Sequence, residues 1–379
     1  MPRAYAVWEL TLACNLACVH CGSRAGTQRE GELSTDEALD LVRQLAEIGI
    51  TEVTLIGGEA FLRRDWLVIA AEIARRGMAC TMTTGGYKLT RGMAGRMRDA
   101  GIGRASVSVD GLEATHDRLR GKPGSWQSCW RTFGHLRGAG IAATCNTQIN
   151  RLTAAELLPL YELLAEAGVS AWQVQLTVPA GNAADNAGLL LQPPDLLEIF
   201  PVLAEIARRG RKDGLMLFPG NNVGYYGPYE KLLHGAEQPA WWQGCQAGVS
   251  TLGIESDGTV KGCPSLPTAA YAGGNIRERS LADIVRGAPE LNLNMRAGTL
   301  AGTSHLWGFC AGCEHAATCR GGCTWTAHTF FGRPGNNPYC HHRALVQQAR
   351  GVRERLELVD RAPGQPFDHG IFRIIEEPL

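Results

Sequence analysis

From residue 4 to about 178, short runs with apolar residues at alternate or successive positions take turns with longer stretches of helical spacing. The β-like runs are AVWEL (6–10), EVTLIGGE (52–59), ACTMTTGG (79–86), RASVSVDG (104–111), AATCNTQIN (142–150) and AWQVQLTVP (171–179). The helical stretches are 33–49, 65–77, 90–101, 125–139 and one ending at Ala167. Ser34 with Glu37, and Thr153 with Glu156, have the spacing of a capping box. Strands alternating with helices predict βαβ units around a parallel sheet. Further along, 193–210 and 342–359 read as helices, and 367–379 as a strand or a cover over the barrel. Residues 221–233 are rich in glycine and aromatics. They read as a linker packing Tyr225, Tyr226 and Tyr229 onto the barrel, or as a substrate-facing loop.

A parallel sheet covered by helices is usually apolar on both faces. Here Thr81 and Thr83 share one face of the third strand, and Ser106, Ser108 and Asp110 one face of the fourth. Thr144, Asn146 and Gln148 follow in the fifth, and Gln173, Gln175 and Thr177 in the sixth. One face is therefore wet, which predicts the inside of a partly closed barrel holding a polar ligand. Cys145 alternates away from that face and, with Cys80, is expected in the core.

The 379 residues allow two or three domains. Lysine plus arginine equals aspartate plus glutamate at 37 each, so no net field draws the chain to nucleic acid or an anionic membrane. No apolar run of about 18 residues is present, so no membrane span is expected. The N-terminal residues lack the long apolar core of a signal peptide, which makes the expected location cytoplasmic. Thirteen cysteines in a reducing compartment argue for metal ligation over disulfides, and ten of them fall into groups with ligand-like spacing.

Cys14, Cys18 and Cys21 lie in TLACNLACVHCGSR. One short loop with that spacing can fold around a corner of an iron–sulfur cube. Three thiolates bind three irons, so a four-iron cluster keeps one iron open to a small molecule. A zinc loop is the other reading of such a motif. Further along, Cys245 and Cys263 frame a segment with Gly258, and Cys310, Cys313, Cys319 and Cys323 are followed by Cys340.

The C-x3-C-x2-C loop resembles the radical S-adenosylmethionine (SAM) superfamily. The later seven cysteines resemble its SPASM extension, C…G-x4-C…C-x2-C-x5-C-x3-C…C. The resemblance spans roughly residues 4–345. It implies an α/β fold: a partial (β/α)6 TIM-type barrel over 1–190, a helical linking region over 191–240 and a small cysteine-rich SPASM domain over 241–345. A C-terminal helix and tail complete the chain at 346–379. It also implies three [4Fe–4S] clusters: one on Cys14, Cys18 and Cys21, an auxiliary cluster I on Cys245, Cys263 and Cys323, and an auxiliary cluster II on Cys310, Cys313, Cys319 and Cys340. The fourth ligand of cluster I is open to water, a side chain or a substrate atom. By the same resemblance SAM is contacted by Gly57, Gly58 and Glu59, by Thr84 in the TGG turn, by Ser108 and Asp110, and by Arg120, which otherwise reads as a surface salt bridge. Ala60 stands where the superfamily often has proline. His116 and Asp117 belong to the segment that often follows the fourth strand.

The implied activity is reductive cleavage of SAM to a 5'-deoxyadenosyl radical that takes hydrogen from a substrate. Relatives with SPASM domains commonly modify peptides, so a ribosomally made peptide is the expected substrate. A small molecule such as a carbohydrate, antibiotic precursor or tetrapyrrole is the alternative. A non-catalytic iron–sulfur electron carrier is a third reading, against which the SAM motif speaks. Since the cysteine loop begins at Cys14, any leader-peptide-binding module is expected as a separate protein. Flavodoxin or ferredoxin is the expected reductant. Sulfatase-maturing enzymes carry an aspartate after the cysteine matching Cys263; Pro264 here argues against that substrate.

Overall fold

The computed structural model describes residues 4–234, 241–296 and 302–379. Seven parallel strands neighbour one another in chain order. They are β1 (Tyr5–Glu9), β2 (Glu52–Ile56), β3 (Ala79–Thr84), β4 (Ile102–Ser108), β5 (Ala142–Ile149), β6 (Ala171–Leu176) and β7 (Met216–Pro219). The first six fall where the alternating pattern predicts. The seventh, MLFP, is too short to carry a periodic signal and ends in proline. At the other edge β8 (Thr251–Ile254) pairs parallel with β1. From it β9 (Thr259–Lys261) and β10 (Ala272–Asn275) continue antiparallel. The cysteine-rich region thus extends the barrel's own sheet to ten strands. The expected α/β fold, a partial barrel followed by a cysteine-rich domain, is the one observed.

Numbering helices of eight residues or more, α1 (Thr35–Glu47), α2 (Trp66–Arg75), α3 (Arg91–Asp99), α4 (Glu113–Arg120), α5 (Ser125–Gly138), α6 (Leu157–Glu166) and α7 (Leu196–Asp213) accompany the parallel strands. Two more, α8 (Thr324–Phe331) and α9 (His341–Ala349), lie in the cysteine-rich half. The stretch Ala187–Asp213 reaches a mean hydropathy of 1.2, but half of that window is buried within the fold. It packs as a core helix against α6, β7 and α9.

Period two divides each strand. Ala6 and Trp8 of β1, Val53 and Leu55, Cys80 and Met82, Ala105 and Val107, Cys145, and Trp172 and Val174 are buried in one core. Cys80 and Cys145 are therefore core residues, as expected. The opposite register faces the barrel interior, where hydroxyls and amides satisfy one another. Tyr5 Oη meets Thr54 Oγ1 at 2.7 Å, and Thr54 meets Thr81 at 2.6 Å. Ser106 Oγ donates to Asn146 Oδ1 at 2.9 Å, and Gln148 Nε2 to Gln175 Oε1 at 3.2 Å. The wet face is real, except that Thr177 lies beyond β6, buried, with no partner for its hydroxyl among the described residues.

The Ser34–Glu37 capping box is present in full. Ser34→Ala should lower stability by about 1 kcal/mol, read as a lower denaturant midpoint at unchanged slope. The second expected box is absent. Thr153 Oγ1 instead accepts from Asn150 N and donates to Gln148 O. Glu156 accepts from Leu112 N and Thr115 Oγ1, which ties α6 to the start of α4. The helix expected over 342–359 ends at Ala349, and β11 (Val352–Asp360) follows. That strand pairs antiparallel with β12 (Ile371–Pro378) in a separate two-stranded sheet. Arg353, Arg355 and Glu357 alternate there with Glu354 and Leu356, a period-two signal that a helical reading of VRERLELV overlooks.

Candidate active site

The cysteine loop leaves β1 at the C-terminal end of the sheet and is held by backbone bonds that involve no sulfur. Cys14 N donates to Gly26 O, and Gly26 N to Leu12 O. Ala17 N and Val19 N donate to Arg120 O and Leu119 O at the end of α4. Gly58 N and Glu59 N donate to Thr11 O (2.7 Å) and Ala13 O (2.8 Å). A Cβ on Gly57 would collide with the Thr11 carbonyl, and one on Gly58 with the Ala13 and Leu12 carbonyls. The glycines are thus needed for backbone contact with the cysteine loop, besides lining the cavity beside it.

That cavity, of about 480 Å³, is bordered by Cys14, Cys18 and Cys21 and also by Cys245, Cys263 and Cys323. Two triads from opposite halves of the sequence therefore face one space. Cys310, Cys313, Cys319 and Cys340 do not line it. They gather elsewhere: burial and then Cys310 and Cys313 push the Cys319 thiol up to about 12, and burial and then Cys319 push up Cys340. Likewise burial and then Cys245 push Cys263 up to about 11 and Cys323 to about 12. Coordination to iron reverses this, because a bound thiol gives up its proton. Of these seven cysteines, three therefore border the cavity and four do not.

Of the residues expected around SAM, Gly57, Gly58, Thr84, Ser108, Asp110 and Arg120 line the cavity. Glu59 is 1% exposed; its Oε2 accepts from Gly85 N at 2.9 Å, while Oε1 is buried without a partner among the described residues. Burial raises its carboxyl to about 7. Arg120 is not a surface ion pair. Its Nη2 lies 2.6 Å from Asp110 Oδ2 and its Nη1 3.8 Å from Cys18 Sγ. Asp110 is fully buried, and Gln148 N donates to its Oδ1 at 2.8 Å. Burial opposes its charge, but Arg120 and His20 (Nε2 at 3.0 Å) hold it below the usual carboxylate range. The donor set fits a cluster with an open iron and a zwitterionic ligand: three thiols border one cavity near Glu59 Oε1 and His20 Nδ1, both buried without a hydrogen-bond partner among the described residues.

His116 and Asp117 are structural. Burial and then Arg120 lower His116 to about 3, so its neutral Nδ1 accepts from Asp110 N at 3.0 Å. Asp117 accepts from Gly124 N, Ser125 Oγ and Trp126 N at the start of α5. His341 is buried and stacked on Phe200, with ring centroids 4.3 Å apart. Tyr225 is buried beside Trp242 and accepts from Cys323 N through its hydroxyl, and Tyr226 stacks on His315. Tyr225 and Tyr226 pack on the cysteine-rich half, while Tyr229 packs against the main core as expected, and Asn221 and Asn222 of the same segment reach the cavity. His20, Glu9, Trp325 and Phe367, which also line the cavity, were not expected there. For Glu9 the signal is its register with Tyr5 and Val7; for His20 it is its place between two ligand-spaced cysteines. Trp325 and Phe367 carry no local signal.

The profile of the Radical SAM superfamily matches residues 8–164, and that of an iron–sulfur cluster-binding domain, SPASM, matches 245–314. An AdoMet-dependent heme synthase of Methanosarcina barkeri is 31% identical over 90% of this chain and 97% of its own. The chain belongs to the radical SAM superfamily. This radical SAM enzyme is also 29% identical to the mycofactocin maturase MftC of Mycolicibacterium smegmatis, over 88% of its length and 81% of that protein. Among solved structures it is similar to anSMEcpe with bound AdoMet, with a TM-score of 0.71 at 15% identity over 91% of this chain and 92% of that one. It is also similar to SuiB of Streptococcus suis bound to the precursor peptide SuiA, with a TM-score of 0.64 at 15% identity over 89% of this chain and 74% of that one. These last likenesses are of fold. Radical SAM enzymes use a [4Fe–4S] cluster and SAM, and the SPASM domain binds auxiliary clusters.

Proposed function

We propose that this enzyme modifies a ribosomally made peptide, abstracting a hydrogen atom in the cavity between the two cysteine triads. The observation that carries the reading is the cavity wall. Asn146, Gln148, Gln173, Gln175 and Asn221 supply neutral amides with donor and acceptor capacity beyond their bonds to one another and to Ser106, which matches the donors and acceptors of a peptide chain. The arginine on that wall, Arg120, is already committed to Asp110. A tetrapyrrole has several carboxylates, and binding them favours free cations. That second reading is favoured by likeness to heme synthases, three of which are 28–31% identical to this chain.

In this proposal Cys14, Cys18 and Cys21 hold the SAM-binding cluster. Glu59, with Gly57, Gly58, Thr84, Ser108, Asp110 and Arg120, surrounds SAM. Cys245, Cys263 and Cys323 hold auxiliary cluster I beside the substrate, and Cys310, Cys313, Cys319 and Cys340 hold auxiliary cluster II. The cluster with SAM supplies the 5'-deoxyadenosyl radical; the chain orients the reacting hydrogen and excludes other donors. A separate leader-binding protein and a flavodoxin or ferredoxin reductant complete the system. The test gives the anaerobically loaded enzyme SAM, dithionite and peptides from short reading frames flanking its gene, in parallel with an iron coproporphyrin. A mass change in a peptide with formation of 5'-deoxyadenosine supports the reading. A mass change in the porphyrin, with every peptide unchanged, replaces it by the second.

Glu59 gives a sharper prediction. Its ionised carboxylate would accept from the SAM ammonium. Glu59→Gln should weaken SAM binding about tenfold to a hundredfold, from the roughly 1.5–3 kcal/mol of a charged hydrogen bond. In the wild type, protonation of Glu59 as pH falls through about 7 removes the same interaction. Affinity should therefore fall between pH 8 and about pH 6, whereas the Gln variant should be flat over that range. Equilibrium dialysis with labelled SAM measures both. The stability linkage has the opposite sign: with its folded value raised, neutral Glu59 stabilises the ligand-free fold at low pH, and this is lost as pH rises through about 7.

A further inference from the structure

The C-terminal hairpin lies beyond both matched segments, 8–164 and 245–314. Its loop, residues 361–370, nevertheless reaches the reaction cavity through Phe367. The ring sits over the buried Lys261 ammonium at 3.9 Å, and the Arg29 guanidinium lies 6.0 Å from its centroid. Phe367 takes φ +58°, a left-handed conformation that bulky residues rarely adopt and that surrounding contacts must hold.

The next residue makes those contacts. Asp368 Oδ1 accepts from Arg24 Nε at 2.8 Å, and its Oδ2 accepts from Arg24 Nη2 at 3.3 Å. The same Oδ2 accepts from Gly364 N and Gln365 N, which closes the loop on itself. Asp368 O accepts from Gly181 N at 2.9 Å. Arg24 is further held by Asp185 Oδ2 (2.5 Å) and Asn182 Oδ1 (3.1 Å). Its side chain is 13% exposed and that of Asp368 is 7% exposed, so this pair is shielded from water. Arg24 lies three residues after Cys21, and Lys261 two residues before Cys263. The loop therefore spans from the first triad to the second.

We propose that Phe367 is the wall of the reaction cavity between the two triads and that the Arg24–Asp368 clasp positions it. The inference rests on the cluster assignment above. It makes the C-terminal hairpin part of the reaction chamber. Removing the ring would open a path for solutes to both triads and strip the apolar cover from Lys261. Removing the clasp would free the loop, so that the ring, still present in the chain, is no longer held over Lys261.

The test uses the anaerobically loaded holoenzyme, with iron counted first, and follows iron release to the chelator bathophenanthroline disulfonate under nitrogen. Phe367→Ala and Asp368→Asn should load like the wild type and release iron severalfold faster. Phe367→Leu, which keeps bulk, should restore slow release. Arg373→Ala, on the outer side of the hairpin with a side chain 63% exposed, should match the wild type. Wild-type release rates in fully loaded Phe367→Ala and Asp368→Asn overturn the proposal. Should Phe367→Ala load poorly, Asp368→Asn decides: faster release at an unchanged melting temperature supports the clasp, and unchanged release defeats it. A wild type holding only about four irons would defeat the auxiliary assignment instead, and release from the first triad would still decide the role of Phe367.

Discussion

Replacing Cys14, Cys18 and Cys21 together by alanine should yield a folded protein that forms no 5'-deoxyadenosine and carries about eight irons in place of about twelve. The fold should survive because backbone groups fix the loop: Cys14 N on Gly26 O, Gly58 N on Thr11 O, and Ala17 N on Arg120 O. The activity should vanish because the open iron on which SAM would be cleaved is lost. The matching change at Cys245, Cys263 and Cys323 should also remove about four irons, yet leave reductive SAM cleavage without substrate in place. That second triad borders the same cavity and, among the described residues, makes no backbone hydrogen bond to the first loop. Iron analysis and chromatography of the nucleoside distinguish the two. Equal loss of 5'-deoxyadenosine in both variants would mean that the triads do not act as separate centres.

Much of this was legible because the signals are local and periodic. Alternation in β1 to β6 placed the strands, and the polar members of each strand foretold a wet interior before any geometry was known. Cysteine spacing marked out ten thiols in ligand-like groups, since a cluster needs several thiols on short loops, while the division of the later seven came from the family resemblance and not from spacing. What the sequence hides depends on distance along the chain. Arg120 in THDRLRG reads equally as a SAM contact, by the family resemblance, or as a surface salt bridge; its burial follows from where α4 ends, against the Ala17 and Val19 backbone. Thr153 and Glu156 have the spacing of a cap, but Leu112 and Thr115, 41 to 44 residues away, compete for the carboxylate and win. β8 joins the barrel beside β1 across about 245 intervening residues, a pairing that no local pattern encodes. Phe367 reaches the cavity by the same kind of long connection.

The C-terminal hairpin should also be the point where a single charge change does the most damage to the fold. Arg343 of α9 and Glu354 of β11 form a buried bidentate pair, Nε to Oε2 at 2.6 Å and Nη2 to Oε1 at 2.8 Å, with side chains 3% and 5% exposed. Gln347 Nε2 donates to Glu354 Oε1, and Arg343 Nη1 to Asn336 Oδ1. Glu354→Ala leaves the guanidinium buried and unpaired, which should cost about 3–5 kcal/mol. The damage should spread in two directions. Arg343 N donates to Cys340 Sγ at 3.4 Å and its guanidinium lies 5.1 Å from the Phe309 ring centroid, so the four-cysteine group should lose iron first. The hairpin that carries Phe367 and Asp368 should loosen next, with faster iron release from the cavity. Replacing both partners, Arg343→Met with Glu354→Leu, should recover most of the stability, because an apolar pair of similar volume needs no compensating charge. Melting curves and iron counts on the single and double variants measure the coupling. If the double variant is as unstable as the single one, the harm comes from lost shape and hydrogen bonds, not from the stranded charge.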